Sequence, residues 1–351
     1  MKSFKFFIGV DVSKLTLDFS IYQSENLIYH KSIPNQILDI KELLKEFRQI
    51  PTCKNSNTVF GMENTGVYSN LLISILQKAK ANFTVENAVH IRNSLGNIRG
   101  KTDKIDSQRI AMFLFKNRDR LNFWKPRRPV IEELKNLVTL RTRLSSIQVA
   151  LKTPLKENAR YISKTNSKQH HDICQNTITS ISSDLEILNE LIKKVWSSDE
   201  KIKNLMKIIT SVRSIGEVTA LHIILSSNEF EDIDTGKKFA CYAGVAPFHY
   251  KSGTSVSKKT RVSDIANKKI KSLLHMCAVS AIRYNDEMKD YFIRKTQVEG
   301  KNKMLVLNAV RSKLILRVFS CVKANKLYVE GKLPLKSNFE DTKTVYSTTD
   351  N

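Results

Sequence analysis

A chain of 351 residues has room for two or three domains with cores of their own, and 41% apolar residues is a globular composition. Lys and Arg number 58 against 34 Asp and Glu, a formal charge of +24, which exceeds what solubility requires and points to a polyanion, nucleic acid above all. No run approaches the roughly 18 apolar residues of a membrane span, and the five cysteines and seven histidines show neither a C-x-x-C pair nor zinc spacing, which argues against structural zinc or a disulfide framework.

The opening MKSFKFFIGVD has too short an apolar run for a signal peptide, so a cytoplasmic, nucleoid-associated protein is expected. Phe4, Phe6, Ile8 and Val10 share one face, and Leu15, Leu17, Phe19 and Ile21 alternate with Thr16, Asp18 and Ser20, predicting a two-stranded hairpin. A third strand, NLIYHKSI, precedes a helix whose apolar positions are Ile37, Ile40, Leu43, Leu44 and Phe47. A strand (TVFGME), a helix (VYSNLLISILQKAK), a strand (NFTVEN) and a helix over about 88–118 come next. Three antiparallel strands and then alternating helix and strand is the element order of the RNase H-like fold, in which the first and fourth strands are neighbours.

NFWKPRRPV, with two prolines and three basic residues, reads as a linker. From Ile131 to about Ile208 apolar residues recur at three and four, predicting two long helices in an antiparallel hairpin or an intersubunit coiled coil, the first interrupted or kinked by Pro154. His170 and His171 lie on a polar stretch there and read as solvated. A third, mainly helical segment starts near Leu205 and contains SVRSIGEVTALHIIL, a glycine turn into an apolar helix. The tail from about Lys332 is polar and aperiodic, and disorder is expected.

Asp11 and Glu63 each end an apolar strand, where an unpaired charge is costly. Asp103 and Asp106, at i and i+3, face one way from a helix. Four oxygen ligands from neighbouring strands and one helix suit Mg²⁺ or Mn²⁺, and a pair of such ions would polarise a phosphodiester. Each residue has a plainer role open to it. Asp11 fits the turn at Val12–Lys14, Glu63 fits a helix cap, and Asp103 and Asp106 fit a helix start capped by Thr102. The combination of four acids in a chain of this charge favours the metal site.

GVDVSK, MENTGVY and GKTDKIDSQRIA, succeeded in order by SIGEVTA, YAGVAP, KSGTS and VSDIANKKIKSLL, resemble the DEDD transposases of the insertion-sequence 110 type, over nearly the whole chain to about residue 325. The resemblance implies a domain over 1–122 similar to the junction resolvase RuvC, with Asp11, Glu63, Asp103 and Asp106 as metal ligands. It implies a helical coiled-coil region over 123–204, and a transposase domain over 205–328 with a helix-hairpin-helix-like element and a catalytic serine, Ser252. Residues 329–351 form the tail. It further implies a recombinase that excises and inserts its element through a 5′-phosphoserine link, guided by a bridge RNA and assembled as dimers pairing into a tetramer. Where the family usually reads proline-glycine-isoleucine-glycine this chain has RSIG, and a basic, glycine-containing stretch after the serine is here VSDIANKK, with Asp264 and Ala266.

No histidine triad surrounds Ser252, which favours activation by the carboxylate-bound ions, and Ser255 and Ser257 are rival nucleophiles. Lys251, Lys258, Lys259 and Arg261 flank the serine, Lys268, Lys269 and Lys271 come after it, and Lys101 and Lys104 flank Asp103; all nine are expected to contact nucleic acid. Two other readings stay open: a metal-dependent junction resolvase or nuclease that uses water, and a nucleic-acid-binding relative without catalysis.

Overall fold

A computed structural model describes residues 3–95, 100, 102–158, 160–252 and 256–330. The chain divides into two units, Met1–Pro126 and Arg127–Asn351. In the first, β1 (Phe6–Val12), β2 (Thr16–Gln23) and β3 (Asn26–Pro34) form an antiparallel meander. Then α1 (Ile37–Gln49) leads to β4 (Thr58–Glu63), α2 (Asn70–Lys78) leads to β5 (Asn82–Glu86), and α3 (Ala88–Leu95) and α4 (Asp103–Lys116) complete the unit. The sheet order is β3-β2-β1-β4-β5, with β4 parallel to both β1 and β5, so the first and fourth strands are neighbours as expected.

Period-two patterning sorts β1 between two cores. Phe6, Ile8 and Val10 pack with Leu17, Phe19 and the apolar faces of α1 and α2, while Phe7 packs with Val59, Ile110, Phe113 and Leu114 beneath α4. The single helix expected over 88–118 is two helices. Gly100 takes a left-handed φ of +82°, and Thr102 starts α4 afresh by accepting a hydrogen bond from the Ile105 amide at 3.2 Å.

The second unit opens with α5 (Pro129–Asn158) and α6 (Lys164–Ser198). They run antiparallel: Arg141 donates to Asn189 at 2.6 Å and Gln148 to Ser182 at 2.8 Å, pairs whose numbers rise on one helix as they fall on the other. Of the two arrangements expected for these helices, the hairpin within one chain is present. Pro154 does not interrupt α5, because it lies close to the helix end, where few bonds remain to be lost. Next come α7 (Glu200–Thr210), α8 (Glu217–Ser227) and α9 (Gly236–Tyr242), then a hairpin of β6 (Pro247–Ser252) and β7 (Val256–Val262), and then α10 (Lys268–Tyr284), α11 (Asp286–Ile293) and α12 (Lys303–Ala324). The base of the α5–α6 hairpin, through Ile131, Leu134, Leu188 and Ile192, shares one core with these C-terminal helices. No helix among the described residues is long and apolar enough to cross a membrane. The tail expected to be disordered lies, from residue 331, outside the described residues.

Arg128, part of the stretch that reads as a linker, is a clamp. Its guanidinium donates to both carboxylate oxygens of Asp199 at 2.8 and 2.9 Å and to Glu229 at 2.7 and 2.8 Å. Glu229 has a side chain only 2% exposed, and it sits in a turn where Asn228, Glu229 and Phe230 all have left-handed φ. Without Arg128 that buried carboxylate keeps, among the described residues, only the Lys201 ammonium at 3.4 Å as an ion-pair partner. Arg128→Ala is therefore expected to cost about 3 kcal/mol, read as a lowered urea midpoint at unchanged m.

Candidate active site

The two glycines of FIGVD and VFGME determine where the carboxylates lie. Gly9 and Gly61 are paired in the β1–β4 register and sit directly under α4. A Cβ on Gly9 would come within 2.0 Å of the Ser107 carbonyl oxygen and 2.3 Å of the Ala111 nitrogen, and one on Gly61 would meet the Leu114 side chain at 2.8 Å. α4 thus rests on bare backbone. Two residues further along the same face of each strand come Asp11 and Glu63, one step beyond the last registered pair, Val10 and Met62. Asp103 and Asp106 occupy the first turn of α4, the helix seated on that face. Gly9→Ala should force α4 off the sheet, lowering stability by about 3 kcal/mol in a denaturant titration and withdrawing Asp103 and Asp106 from Asp11.

The row of acids is longer than the sequence suggests. Asp18 on β2 stands opposite Asp11 in the register, and Glu86 on β5 stands opposite Glu63, so β2, β1, β4 and β5 carry Asp18, Asp11, Glu63 and Glu86 side by side. Alternation ordinarily sends the polar residues of such a strand to water. Here α4 covers them: Asp18 and Ser20 are buried, and the Ser20 and Ser107 hydroxyls lie 2.7 Å apart. Asp18 accepts from Ser32 at 3.0 Å and faces His30 Nε2 at 3.3 Å, and Glu86 faces His90 at 3.2 Å. Sequence reasoning passed over both acids. Only the counting of register from a known glycine pair would have found them.

Asp11 accepts no hydrogen bond among the described residues, and its pKa is raised to about 6. Burial is the largest cause, and the negative charges of Asp106, Asp103, Glu63 and Asp18 come after it. All four acids of the expected set therefore converge electrostatically. They do not form a cage as they stand. Among the described residues no three His, Cys, Asp or Glu side chains are close enough to hold an ion. Asp106 turns to Arg109 at 2.7 Å, and Thr102 caps the helix, so the plainer helix-start role is also present. The donor set is all carboxylate, and its central member carries an uncompensated negative field. In chemistry these residues fit a divalent cation that prefers oxygen.

Ser252 ends β6, and its register partner is Val256 on β7, so the Ser252 backbone lies beside the hairpin's turn. Ser255 and Lys101 lie outside the described residues. Lys251, Ser257, Lys258 and Lys259 are placed on the two strands by backbone alone. Arg261 is exposed on β7, Lys104 is exposed on α4, and Lys268, Lys269 and Lys271 occupy the first turn of α10, whose N-cap Asn267 accepts from the Ile270 amide at 3.0 Å. Lysines at a helix N-terminus add to its positive end and favour an anion.

The departures from the family pattern find places. A Cβ on Gly244, at φ +62°, would meet the Ala266 methyl at 2.3 Å, so a small residue at 266 belongs to the packing of YAGVAP against the start of α10. In the turn between α7 and α8 the left-handed residue is Ser214, at φ 75°, while Gly216 has φ −87° as N-cap of α8 and open space around its α-carbon. The glycine that the turn geometry favours is thus replaced by serine, and the one retained is not required by its own backbone.

Two family models match the chain. One, described as a transposase of the DEDD type of insertion sequence 110, matches residues 8–160, and the other, described as "Transposase IS116/IS110/IS902 family", matches residues 206–292. The first spans the four acids and the second spans Ser252. Relatives include the pilin gene-inverting proteins of Moraxella bovis and Moraxella lacunata, each 24% identical over 338 residues, covering 92% of this chain and 97% of theirs.

Proposed function

We propose that this chain, which belongs to the insertion-sequence 110 family of transposases, is an RNA-guided DNA recombinase whose chemistry uses Ser252 as nucleophile and a metal site held by carboxylates. Residues 1–122 act as an RNase H-like, RuvC-type domain in which Asp11, Glu63, Asp103 and Asp106 hold Mg²⁺, or Mn²⁺ in its place. Bound there, the cation supplies Lewis-acid polarisation of a phosphodiester and eases the loss of a hydroxyl proton. The Ser252 oxygen attacks phosphorus, a bond from Oγ to phosphorus forms, the bond from phosphorus to O3′ breaks, and the departing O3′ takes up a proton. The strand is left as a 5′-phosphoserine and a free 3′-hydroxyl. Attack by the 3′-hydroxyl of another strand reverses the step and releases the serine, so no nucleotide cofactor is consumed.

Lys251, Lys258, Lys259 and Arg261 neutralise the phosphate as charge grows on it, while Lys101, Lys104, Lys268, Lys269 and Lys271 hold flanking backbone. Residues 205–328 carry the serine, and 123–204 mediate dimers that pair into a tetramer. Exposed Ile147, Ile173, Ile187 and Leu191 on α5 and α6 suit such an interface.

The observation that carries this reading is the convergence of Asp103, Asp106 and Glu63 on Asp11 in a chain of charge +24. The relatives' name supports rejoining, because gene inversion requires every cut strand to be resealed. The test is a denaturing gel of reactions on element-end DNA with Mg²⁺. A protein–DNA adduct mapping by mass spectrometry to Ser252 is expected. Cleavage that leaves a free 5′-phosphate and no adduct at any time would establish hydrolysis instead.

A further inference from the structure

Between the base of the α5–α6 hairpin and α8 lies a cavity of about 290 Å³, close to the lower end of the roughly 300–1,000 Å³ usual for small-molecule sites. Its walls are apolar: Val138 from α5, Ile192 from α6 and Leu221 from α8 are buried, and the half-buried Trp196 lines it from the last turn of α6. His222 lines it from α8. Burial first, and then the positive charges of Lys269 and Arg141, lower its pKa to about 4, so the imidazole is neutral and carries one N–H donor and one ring-nitrogen acceptor. The ring makes no hydrogen bond among the described residues. An alkyl or phenyl occupant would leave both nitrogens unpaired, at a cost that a ligand with a matching polar edge avoids.

The mouth is balanced in charge. Glu190 and Glu217 are exposed there and have no ion-pair partner among the described residues. Opposite them stand Lys193 and Arg141, whose Nε is engaged by Asn189 at 2.6 Å. Such a mouth gives an anion little advantage, while its two carboxylates suit an amino group that donates. We infer that this cavity takes one nucleobase ring with an exocyclic amino group, of the adenine or cytosine kind. The Trp196 indole stacks on the ring face, His222 pairs with the ring's donor and acceptor edge, and a rim carboxylate accepts from the amino group. A free nucleoside and an unstacked base of a nucleic-acid strand present the same ring, and the same three contacts serve both.

Tryptophan fluorescence tests this directly, because the chain has two tryptophans and the other, Trp124, stacks on Phe83 in the first unit. In the full chain carrying Trp124→Phe, Trp196 alone reports. Adenosine and cytidine should quench it saturably, each binding at least about tenfold tighter than uridine, whose ring carries a carbonyl where cytidine has its amino group. His222→Phe should weaken both at least about tenfold. Glu190→Gln combined with Glu217→Gln, at exposed positions where folding is not at stake, should bring uridine within about twofold of cytidine, since an amide both accepts and donates. Circular dichroism checks the fold of each variant. Oligonucleotides of deoxycytidine and of abasic sugar, equal in length, separate the sources: quenching that needs the bases assigns a strand's base, and quenching by nucleosides with no difference between the two strands assigns a free ligand. No saturable quenching by any nucleoside, uridine equal to cytidine in the parent chain, or N-acetyltyrosinamide bound as tightly as the nucleosides would each overturn the assignment. So would affinities that neither the His222 variant nor the glutamate pair alters.

Discussion

Ser252→Ala should lose strand transfer and the covalent adduct together, by about 10⁴-fold or more, while binding DNA as the wild type does. The size comes from the role: without a nucleophile in place the reaction falls back on water, and loss of a covalent nucleophile characteristically costs several decades. Binding should survive because the hydroxyl carries no charge, and affinity for DNA rests on Lys and Arg. Ser255→Ala and Ser257→Ala serve as controls, since both lie within five residues of Ser252 in the same lysine-rich stretch of sequence. They should stay within about tenfold of wild type. An active Ser252→Ala protein beside an inactive Ser257→Ala one would move the nucleophile, and three active variants would remove serine from the chemistry.

Asp11→Asn should abolish catalysis and at the same time stabilise the metal-free protein. A ligand substitution that withdraws Lewis-acid help is expected to cost at least about 10³-fold in rate, several kcal/mol at 1.36 kcal/mol per decade. The stability effect has the opposite sign. Asp11 has its pKa raised from 3.8 to about 6, so the folded state prefers the protonated acid. Its contribution to stability is fully present below about pH 3.8 and is lost as pH rises through about 6. Two pKa units set a ceiling near 3 kcal/mol, and partial exposure reduces the expected gain of the variant to about 1–2 kcal/mol at neutral pH.

The two proteins should therefore melt together at pH 4 and separate above pH 6, with the variant the more stable in the presence of a chelator. Adding Mg²⁺ at pH 8 should raise the wild-type midpoint and leave the variant unmoved. At pH 5 the same addition should do little to either, because a cation must displace the Asp11 proton. A wild-type midpoint indifferent to Mg²⁺ at pH 8 would remove the metal site. A variant no more stable than wild type at any pH would remove the electrostatic cluster.

Much is legible from local pattern. The alternation of FKFFIGV and TLDFSIYQ, the period of ILDIKELLKEF and the capping signal at Thr102 each depend on neighbours within a few residues, and the elements they predict are present. Where a second element intervenes, local pattern falls short. Pro154 reads as an interruption or kink of the first long helix, yet it lies near the end of α5, and where a helix ends depends on the next turn and the packing beyond it. The β6–β7 hairpin that ends at Ser252 has no counterpart among the expected elements, since β7 (VSKKTRV) is polar at most positions and the two short strands are stabilised by pairing with each other.

Local pattern and composition already supply the chemistry at hand: strand-ending Asp11 and Glu63, helix-starting Asp103 and Asp106, a Ser-Gly step in a basic stretch, and a charge of +24. How these residues combine is settled by folding. Register brought Asp18 and Glu86 into line with Asp11 and Glu63, because strand pairing counts residues across loops of unrelated length. Close packing of α4 on Gly9 and Gly61 set the helical aspartates against the strand pair and pushed Asp11 toward neutrality. A carboxylate's charge state depends on burial and on neighbours that are distant in the chain, so its chemistry becomes defined only once the chain has folded.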